Sequence, residues 1–298
     1  MTVREPAPQE LRGRIAVVTG ASRGIGEATA ERLASAGALV IAASRTIGDE
    51  ANPEIDTLAW TVDQIRRRGG EAYAYALDVA KPDSRAAFMD AVLARFGRID
   101  VLVNNAGISG FGQVSWEMSD KLFRRVFEVD VFGARDLIVR ALPGMIGQGY
   151  GRIVNVSSTV ADRAAAKPDG PPYLEFHRTG GVSAYSSAKS ALNLFTRTLA
   201  AELHGKGVSA NVVSPVNSVM TRATRELIAA GTIKADRIQA PEDPEVMAEA
   251  ILALCAADAE TTGLTTYSGQ YLASIGRAVR GRDGGPFDAK ITLQSVKY

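Results

Sequence analysis

Cysteine and histidine are scarce in this chain of 298 residues, which has one cysteine and two histidines. A single cysteine forms no internal disulfide. Because Cys255 follows the apolar run at residues 250–254, we expect a buried structural thiol rather than a reactive one. His177 and His204 are far apart and have no cysteine or carboxylate beside them at metal-ligand spacing. The sequence therefore supports neither a metal site nor thiol chemistry.

The chain also lacks an excess of charge and any long hydrophobic run. Its 34 basic and 33 acidic residues leave a formal net charge of +1. That balance gives no general attraction to nucleic acid or to an anionic membrane. The first 12 residues are polar and of mixed charge, with no apolar stretch of the length that export or membrane spanning requires. We therefore expect a cytoplasmic protein whose partners are small molecules and further copies of itself.

Short β-branched runs alternate with helical patterns from Ile15 to about Gly207, which is typical of a parallel sheet covered by helices. The predicted strands are Ile15–Thr19, Leu39–Ala43, Glu71–Leu77, Val101–Asn104, Arg152–Val156 and Ser209–Val213. The predicted helices are Ile25–Ala36, Thr57–Arg68, Ser84–Phe96, Ser119–Met145 and Tyr185–Leu203. With no repeat and no low-complexity linker, we predict one doubly wound α/β domain with a mostly parallel sheet at residues 13–276. Residues 1–12 are expected to be a flexible leader and residues 277–298 a C-terminal tail.

Three glycines, Gly20, Gly24 and Gly26, fall where the first strand is expected to run into the first helix. Glycine permits a tight turn and lets a pyrophosphate approach the main chain at a helix N-terminus, whose N–H groups are unpaired. The turn therefore predicts a dinucleotide site at the carboxyl ends of the strands. Three glycines alone also fit a tight turn that binds no ligand.

Two further motifs accompany this turn, Asn104-Asn105-Ala106-Gly107 and Tyr185-x-x-x-Lys189. In this order and near this spacing, the three motifs resemble those of the short-chain dehydrogenase/reductase family, and the resemblance extends from about Gly13 to Gly269. It implies a Rossmann-fold oxidoreductase that moves a hydride between a nicotinamide and a carbonyl or secondary alcohol. It also implies a homo-oligomer, either a dimer or a tetramer.

The second predicted strand ends without the acidic residue that would bind the ribose hydroxyls of NAD. Ser44 and Arg45 stand there instead, and Arg23 lies in the glycine turn. Two guanidinium groups can hold a 2′-phosphate through charge-assisted bonds, so we expect NADP(H) rather than NAD(H); the alternative is that both arginines are only solvated surface residues. From the turn and the resemblance together, the expected cofactor-binding residues are Gly20, Ser22, Arg23, Gly24, Ile25, Gly26, Ser44, Arg45, Asp78, Val79, Asn105, Ala106, Gly107, Tyr185, Lys189, Val219 and Thr221.

Tyr185 and Lys189 are four positions apart, so on one helix they share a face. A free tyrosine, with a pKa of about 10, is too weak an acid for neutral pH, and a nearby ammonium is expected to lower that value. The resemblance makes Ser158 the residue that orients the substrate oxygen, with Ser157 as the alternative. It also places Asp130 where the family has an asparagine that holds a proton-relay water. The expected catalytic residues are therefore Ser158, Tyr185, Lys189 and Asp130.

Ser158 and Tyr185 are farther apart in sequence than in most family members, so a segment near residues 164–181 is inserted between them. Its apolar side chains predict a flap over an apolar substrate such as a ring ketone, although a surface excursion without substrate contact fits nearly as well. The run Arg222–Asp236 is expected to form a lid. Two alternatives to an oxidoreductase remain: a cofactor-bound sensor or scaffold on the same fold, and a sugar-nucleotide epimerase or dehydratase, which the few residues after Thr221 disfavour.

Overall fold

Within the residues that the structure describes, seven parallel strands form the sheet at the centre of the molecule. The computed structural model describes residues 9–52, 54–161, 178–231 and 241–289. The strands are β1 Ile15–Thr19, β2 Leu39–Ser44, β3 Glu71–Ala76, β4 Val101–Asn104, β5 Gly151–Val156, β6 Val208–Ser214 and β7 Thr265–Tyr267. Their order across the sheet is β3-β2-β1-β4-β5-β6-β7. The winding therefore reverses between β1 and β4, and a crevice opens there at the carboxyl ends of the strands.

Helices cover both faces of this sheet. They are α1 Gly24–Ser35, α2 Leu58–Arg67, α3 Pro82–Phe96, α4 Asp120–Phe127, α5 Ala134–Gly147, α6 Ser183–Glu202, α7 Arg222–Ala229, α8 Pro244–Ala256 and α9 Ser268–Ser274. One core cluster joins the sheet to α1, α2, α8 and α9, and a second joins it to α3, α5 and α6. Strands buried on both faces explain why the sequence shows continuous apolar runs rather than alternation. The predicted fold class, a single doubly wound Rossmann domain, is confirmed.

The long helix predicted at Ser119–Met145 is interrupted in the structure. A π-helical turn, Glu128–Gly133, separates α4 from α5. Here Gly133 approaches the loop after β3 so closely that a Cβ atom on it would lie 2.6 Å from the carbonyl oxygen of Val79. The hydrophobic spacing that predicts a helix does not distinguish α from π geometry over one turn, so the sequence carries no sign of the interruption.

The segments near the two ends of the described chain pack on the domain. Leu11, within the region expected to be a leader, is fully buried, and its N–H donates to the carbonyl of Ala36 at 2.9 Å. Arg277, at the start of the expected tail, binds both carboxylate oxygens of Glu10 at 2.7 and 2.8 Å. Residues 9–12 and 277–289 therefore stabilise the same side of the molecule. Among the described residues, no helix combines the length and the apolarity needed to cross a lipid bilayer.

Candidate active site

The glycine turn between β1 and α1 has no room for side chains. Gly20 and Gly24 adopt left-handed backbone angles, with φ of 67° and 63°. A Cβ atom on Gly26 would lie 2.2 Å from the carbonyl oxygen of Gly20. The turn therefore brings the main chain and the first N–H groups of α1 to the surface of the crevice. An open backbone cradle of this kind fits the pyrophosphate of a dinucleotide.

Side chains from β1 and β4 brace this turn. The Thr19 hydroxyl accepts hydrogen bonds from the N–H groups of Asn105 and Ala106, both at 3.1 Å. The Asn105 amide donates to the carbonyl of Thr19 at 2.9 Å and to that of Gly20 at 3.3 Å. The resemblance predicts Asn105 at the cofactor ribose, whereas here its amide nitrogen fixes the turn. Thr19 was not among the expected site residues, although its place at the end of a strand beside the glycines was a usable signal.

No acidic side chain occupies the end of β2. The Ser44 hydroxyl donates to the carbonyl of Thr46 at 3.1 Å, and Arg45 is exposed. Arg23 is the residue immediately before α1, and 48% of its side chain is exposed. Both guanidinium groups therefore belong to segments at the carboxyl ends of β1 and β2.

The remaining expected cofactor residues lie in the loops after β3 and β6. Asp78 receives a hydrogen bond at 3.1 Å on its carboxylate from the N–H of Ala80, and its own N–H donates to Ser84 at 2.9 Å. Val219 is buried beneath the second loop. Thr221 caps α7 by accepting a hydrogen bond from the N–H of Thr224 at 3.2 Å. These contacts hold both loops at the edge of the crevice where the glycine turn lies.

Lys189 and Asp130 form a buried ion pair beside Tyr185. The ammonium of Lys189 lies 2.9 Å from the Asp130 carboxylate, and only 4% and 0% of the two side chains are exposed. The same ammonium donates to the carbonyl of Val156 at 2.9 Å, at the end of β5. It also lies 5.5 Å from the centre of the Tyr185 ring. Helix α6 and the π-helical turn thus bring together three of the four residues predicted to be catalytic, and the end of β5 contacts the Lys189 ammonium.

The π-helical turn is what carries Asp130 into this cluster. The other carboxylate oxygen of Asp130 accepts a hydrogen bond from the N–H of Ile108 at 3.1 Å. A Cβ atom on Gly107 would lie 2.7 Å from Asp130 and 3.4 Å from the Lys189 ammonium. Glycine at position 107 therefore leaves the space that the ion pair fills, which links the Asn-Asn-Ala-Gly motif to the catalytic cluster.

The charges of this cluster act on one another. Burial raises the pKa of the Tyr185 phenol, and so does the negative charge of Asp130. Lys189 and a hydrogen bond with Ser158 lower this pKa. The net pKa lies above the ordinary value. Burial opposes the charge on Lys189, but Asp130 and Tyr185 outweigh it and hold the pKa of the ammonium above its usual value. Lys189 therefore lowers the pKa of Tyr185, which is the expected direction, but burial, the largest effect, and Asp130 together leave the net pKa above the ordinary value.

Of the two candidate serines, Ser158 is the one that contacts Tyr185. It is half-buried and hydrogen-bonded to Tyr185, whereas Ser157 is 4% exposed and follows β5 into the interior. The segment after Ser158 is fixed to α6, since the Ser186 hydroxyl donates to the carbonyl of Val160 at 2.7 Å and Ser190 does the same to Ala161. This arrangement places the Ser158 and Tyr185 hydroxyls together.

Phe111 is a site residue that the sequence analysis missed. Its ring meets that of Tyr185 edge to face, with ring centroids 5.4 Å apart. It stands in the loop after β4, where an isolated aromatic residue gives no periodic signal. Residues 164–177 of the predicted insert lie outside the described residues, but the end of the insert packs beside this loop, since the N–H of Gly112 donates to the carbonyl of Gly180 at 3.0 Å. Within the described ranges, no three histidine, cysteine or carboxylate side chains are grouped as metal ligands would be.

Comparison with known proteins gives the same family as the motifs do. Residues 14–230 match the family profile described as short chain dehydrogenase. The short-chain reductase protein NovJ of Streptomyces niveus is 42% identical over 201 residues, which cover 67% of this chain and 68% of that protein.

Two solved structures share the fold over most of their length. A putative NAD(P)-dependent gluconate 5-dehydrogenase from Beutenbergia cavernae, with bound NADP at low occupancy, superposes with a TM-score of 0.72 and 34% identity, covering 89% of this chain and 99% of that one. A 7α-hydroxysteroid dehydrogenase complexed with NADH and 7-oxo glycochenodeoxycholic acid gives a TM-score of 0.69 and 27% identity, covering 87% and 94%. The chain thus belongs to the short-chain dehydrogenase/reductase family of oxidoreductases, which act on CH–OH or C=O groups.

Proposed function

We propose that this protein is an NADP(H)-dependent reductase of apolar ketones or aldehydes, or a dehydrogenase of the corresponding alcohols. The observation that carries the proposal is the cluster of Ser158, Tyr185, Lys189 and Asp130 at the carboxyl ends of the strands, beside the glycine turn. The turn and the loops after β3 and β6 would hold the dinucleotide. When bound there, the nicotinamide supplies or accepts the hydride.

The hydroxyls of Ser158 and Tyr185 would together hold the substrate oxygen. As that oxygen becomes an alkoxide in reduction, Ser158 stabilises the charge by a hydrogen bond and Tyr185 donates the proton. Lys189 stabilises the tyrosinate that remains, and Asp130 keeps the ammonium charged and in place. In the reverse direction, the tyrosinate would remove the alcohol proton.

The cofactor preference rests on the end of β2. No carboxylate is present there to bind the ribose hydroxyls of NAD, and Arg23 and Arg45 border the adenosine side. The solved relatives include one structure with NADP and one with NADH, so family membership alone leaves the choice open. A 2′-phosphate gains about 1.5–3 kcal/mol from a charge-assisted hydrogen bond, so we expect NADPH to bind at least tenfold more tightly than NADH.

An apolar substrate is supported by the Phe111 ring beside Tyr185. The ketone in the solved hydroxysteroid dehydrogenase complex is an example of a ring ketone bound on this fold. We extend the proposal to a cytoplasmic homo-oligomer, a dimer or a tetramer. Exposed apolar side chains along α4, the π-helical turn and α5 support association, including Phe123, Phe132 and Val139 at 43%, 51% and 42% exposure.

A turnover screen of ring and open-chain ketones with NADPH and with NADH tests the proposal, together with Tyr185→Phe. Removing the phenol is expected to lower kcat at least about a hundredfold while the dissociation constant of NADPH changes little, because only the general acid is lost. Unchanged turnover in Tyr185→Phe would refute the assignment. Tight cofactor binding without turnover of any ketone or alcohol would instead favour the sensor or scaffold alternative.

A further inference from the structure

Helix α7 carries a carboxylate that faces the arginine of the glycine turn. The Glu226 carboxylate lies 3.8 Å from the Arg23 guanidinium, and the two side chains are 54% and 48% exposed. The start of α7 also touches the turn directly, since a Cβ atom on Gly24 would lie 3.1 Å from the Thr221 methyl group. The α7 carboxylate and the turn therefore meet at the edge of the proposed cofactor site.

A second arginine fixes Glu226 from its own helix. Arg222 lies 3.1 Å from the Glu226 carboxylate and 3.2 Å from that of Asp56, in the loop after β2. The carboxylate of Glu226 is thus held between Arg222 and Arg23. By contrast, Arg45 forms no ion pair within the part of the chain that the structure describes.

We propose that Glu226 weakens the binding of NADP(H) specifically, by competing with the 2′-phosphate for Arg23 and by repelling that phosphate. The inference rests on the proposed function, in which Arg23 contacts the 2′-phosphate. NAD(H) has no such group, so Glu226 leaves its affinity almost unchanged. The residue therefore reduces a preference for NADP(H) that Arg23 and Arg45 create, and it acts as a specificity-determining residue on α7.

The size of the effect follows from the exposure of the pair. Exposed ion pairs contribute little because water and salt screen them, and their loss corresponds to about a two- to fivefold change in an equilibrium constant. Glu226→Gln is therefore expected to tighten binding of 2′,5′-ADP about two- to fivefold and to leave binding of ADP unchanged. Both probes carry the adenosine and differ in the 2′-phosphate, and isothermal titration calorimetry at low salt measures both constants.

Two further variants make the test specific. Asp56→Asn also removes a carboxylate that pairs with Arg222, but this carboxylate is not paired with Arg23. Its effect on the affinity for 2′,5′-ADP should therefore be smaller than that of Glu226→Gln. In an Arg23→Gln background, the gain from Glu226→Gln should become smaller, because only the direct repulsion between Glu226 and the phosphate remains to be relieved. A wild-type protein that prefers 2′,5′-ADP, with a Glu226→Gln variant that does not increase this preference, refutes the role of Glu226 alone. If the wild-type protein and Glu226→Gln both bind the two probes equally, the NADP(H) preference and this inference are refuted together.

Discussion

At the scale of single residues, Asp130 sets the charge balance around Tyr185. Its carboxylate disfavours the tyrosinate and offsets the ammonium of Lys189. Asp130→Asn is therefore expected to lower the pKa of Tyr185. Because alcohol oxidation in the proposed mechanism uses the tyrosinate as a base, the acidic limb of its pH profile should move to lower pH. The profile of kcat/KM for oxidation, measured in both proteins, checks this.

Peak activity in Asp130→Asn should change less than the pH profile, because the amide can still accept the hydrogen bond from Ile108. A shift of the acidic limb to higher pH would contradict the charge argument. Complete loss of activity would show that the carboxylate has a chemical role of its own.

The sequence predicts Tyr185 and Lys189 as site residues because both belong to one short motif. Four-residue spacing puts Tyr185 and Lys189 on one helix face, and the structure finds them there beside Asp130. The contact between Phe111 and Tyr185 joins residues 74 positions apart through the packing of the loop after β4 against α6, so no local pattern indicates it. The direction of the Tyr185 pKa was also beyond the sequence, because it depends on burial and on the distance between charges.

At the scale of elements, the turn between β1 and α1 depends on Gly26. Gly26→Ala would place a Cβ atom 2.2 Å from the carbonyl oxygen of Gly20, so the turn has to open. We expect the free energy of unfolding to fall by about 1–3 kcal/mol and NADPH binding to weaken at least about tenfold. Urea denaturation and cofactor titration measure the two effects.

The matched control for this prediction is Gly144→Ala on α5. Nothing lies within 4 Å of a Cβ atom at that position, and the residue is helical. Alanine there should raise the free energy of unfolding by about 0.5–1 kcal/mol. Equal effects of the two substitutions would show that the crowding at Gly26 is not what holds the turn.

The elements that the sequence predicted differ from those that it did not predict in length and in how they are buried. Strands β1, β4, β5 and β6 are recognisable because each is a buried run that contains β-branched residues. Strand β7 has only three residues, Thr265–Tyr267, and pairs with β6 through contacts distant in sequence. Helix α8 is buried on nearly all sides, so it lacks the polar face that gives a helix its periodic pattern. Short or fully buried elements are therefore defined by their neighbours rather than by their own residues.

At the scale of the whole molecule, Glu242 makes stability depend on pH. Its buried carboxylate joins the loop after β6 to α9, accepting hydrogen bonds from the N–H of Val216 at 2.7 Å and from the Ser268 hydroxyl at 2.5 Å. Burial raises the pKa of this carboxyl from 4.5 to about 7, despite these hydrogen bonds. The folded protein thus keeps a proton between pH 4.5 and 7 that the unfolded chain has lost.

The contribution of Glu242 to stability therefore falls as pH rises through that window. Between about pH 5 and pH 8 the wild-type free energy of unfolding should lose about 2–3 kcal/mol more than that of Glu242→Gln. Urea denaturation at several pH values gives the free energy of unfolding of both proteins, and the two slopes of that free energy against pH are compared. The comparison cancels the contributions of the other titrating groups and the constant effect of the amide. Equal slopes would show that the carboxyl of Glu242 keeps its ordinary pKa in the folded protein.

Glu249 connects the two ends of the described chain through the interior. Its carboxylate, 1% exposed, lies 2.7 Å from Arg32 on α1 and 2.6 Å from Arg277, which in turn binds Glu10. Glu249→Leu leaves the fully buried Arg32 without its carboxylate, and a buried charge without a partner costs about 3–5 kcal/mol. We expect a loss of that size in the free energy of unfolding, and a smaller loss in the double variant Arg32→Met/Glu249→Leu, because there the unpaired cation is removed as well.

The exposed pair of Arg67 and Asp63 on α2 provides the control for this last prediction. The two side chains approach to 2.6 Å, a distance similar to those around Glu249, but Arg67 is 72% exposed. Asp63→Asn should therefore change stability by no more than about 0.5 kcal/mol. Burial, rather than distance, then decides the cost of breaking an ion pair in this molecule. If Glu249→Leu costs as little as Asp63→Asn in the same denaturation experiment, the buried network does not hold the two ends of the described chain on the domain.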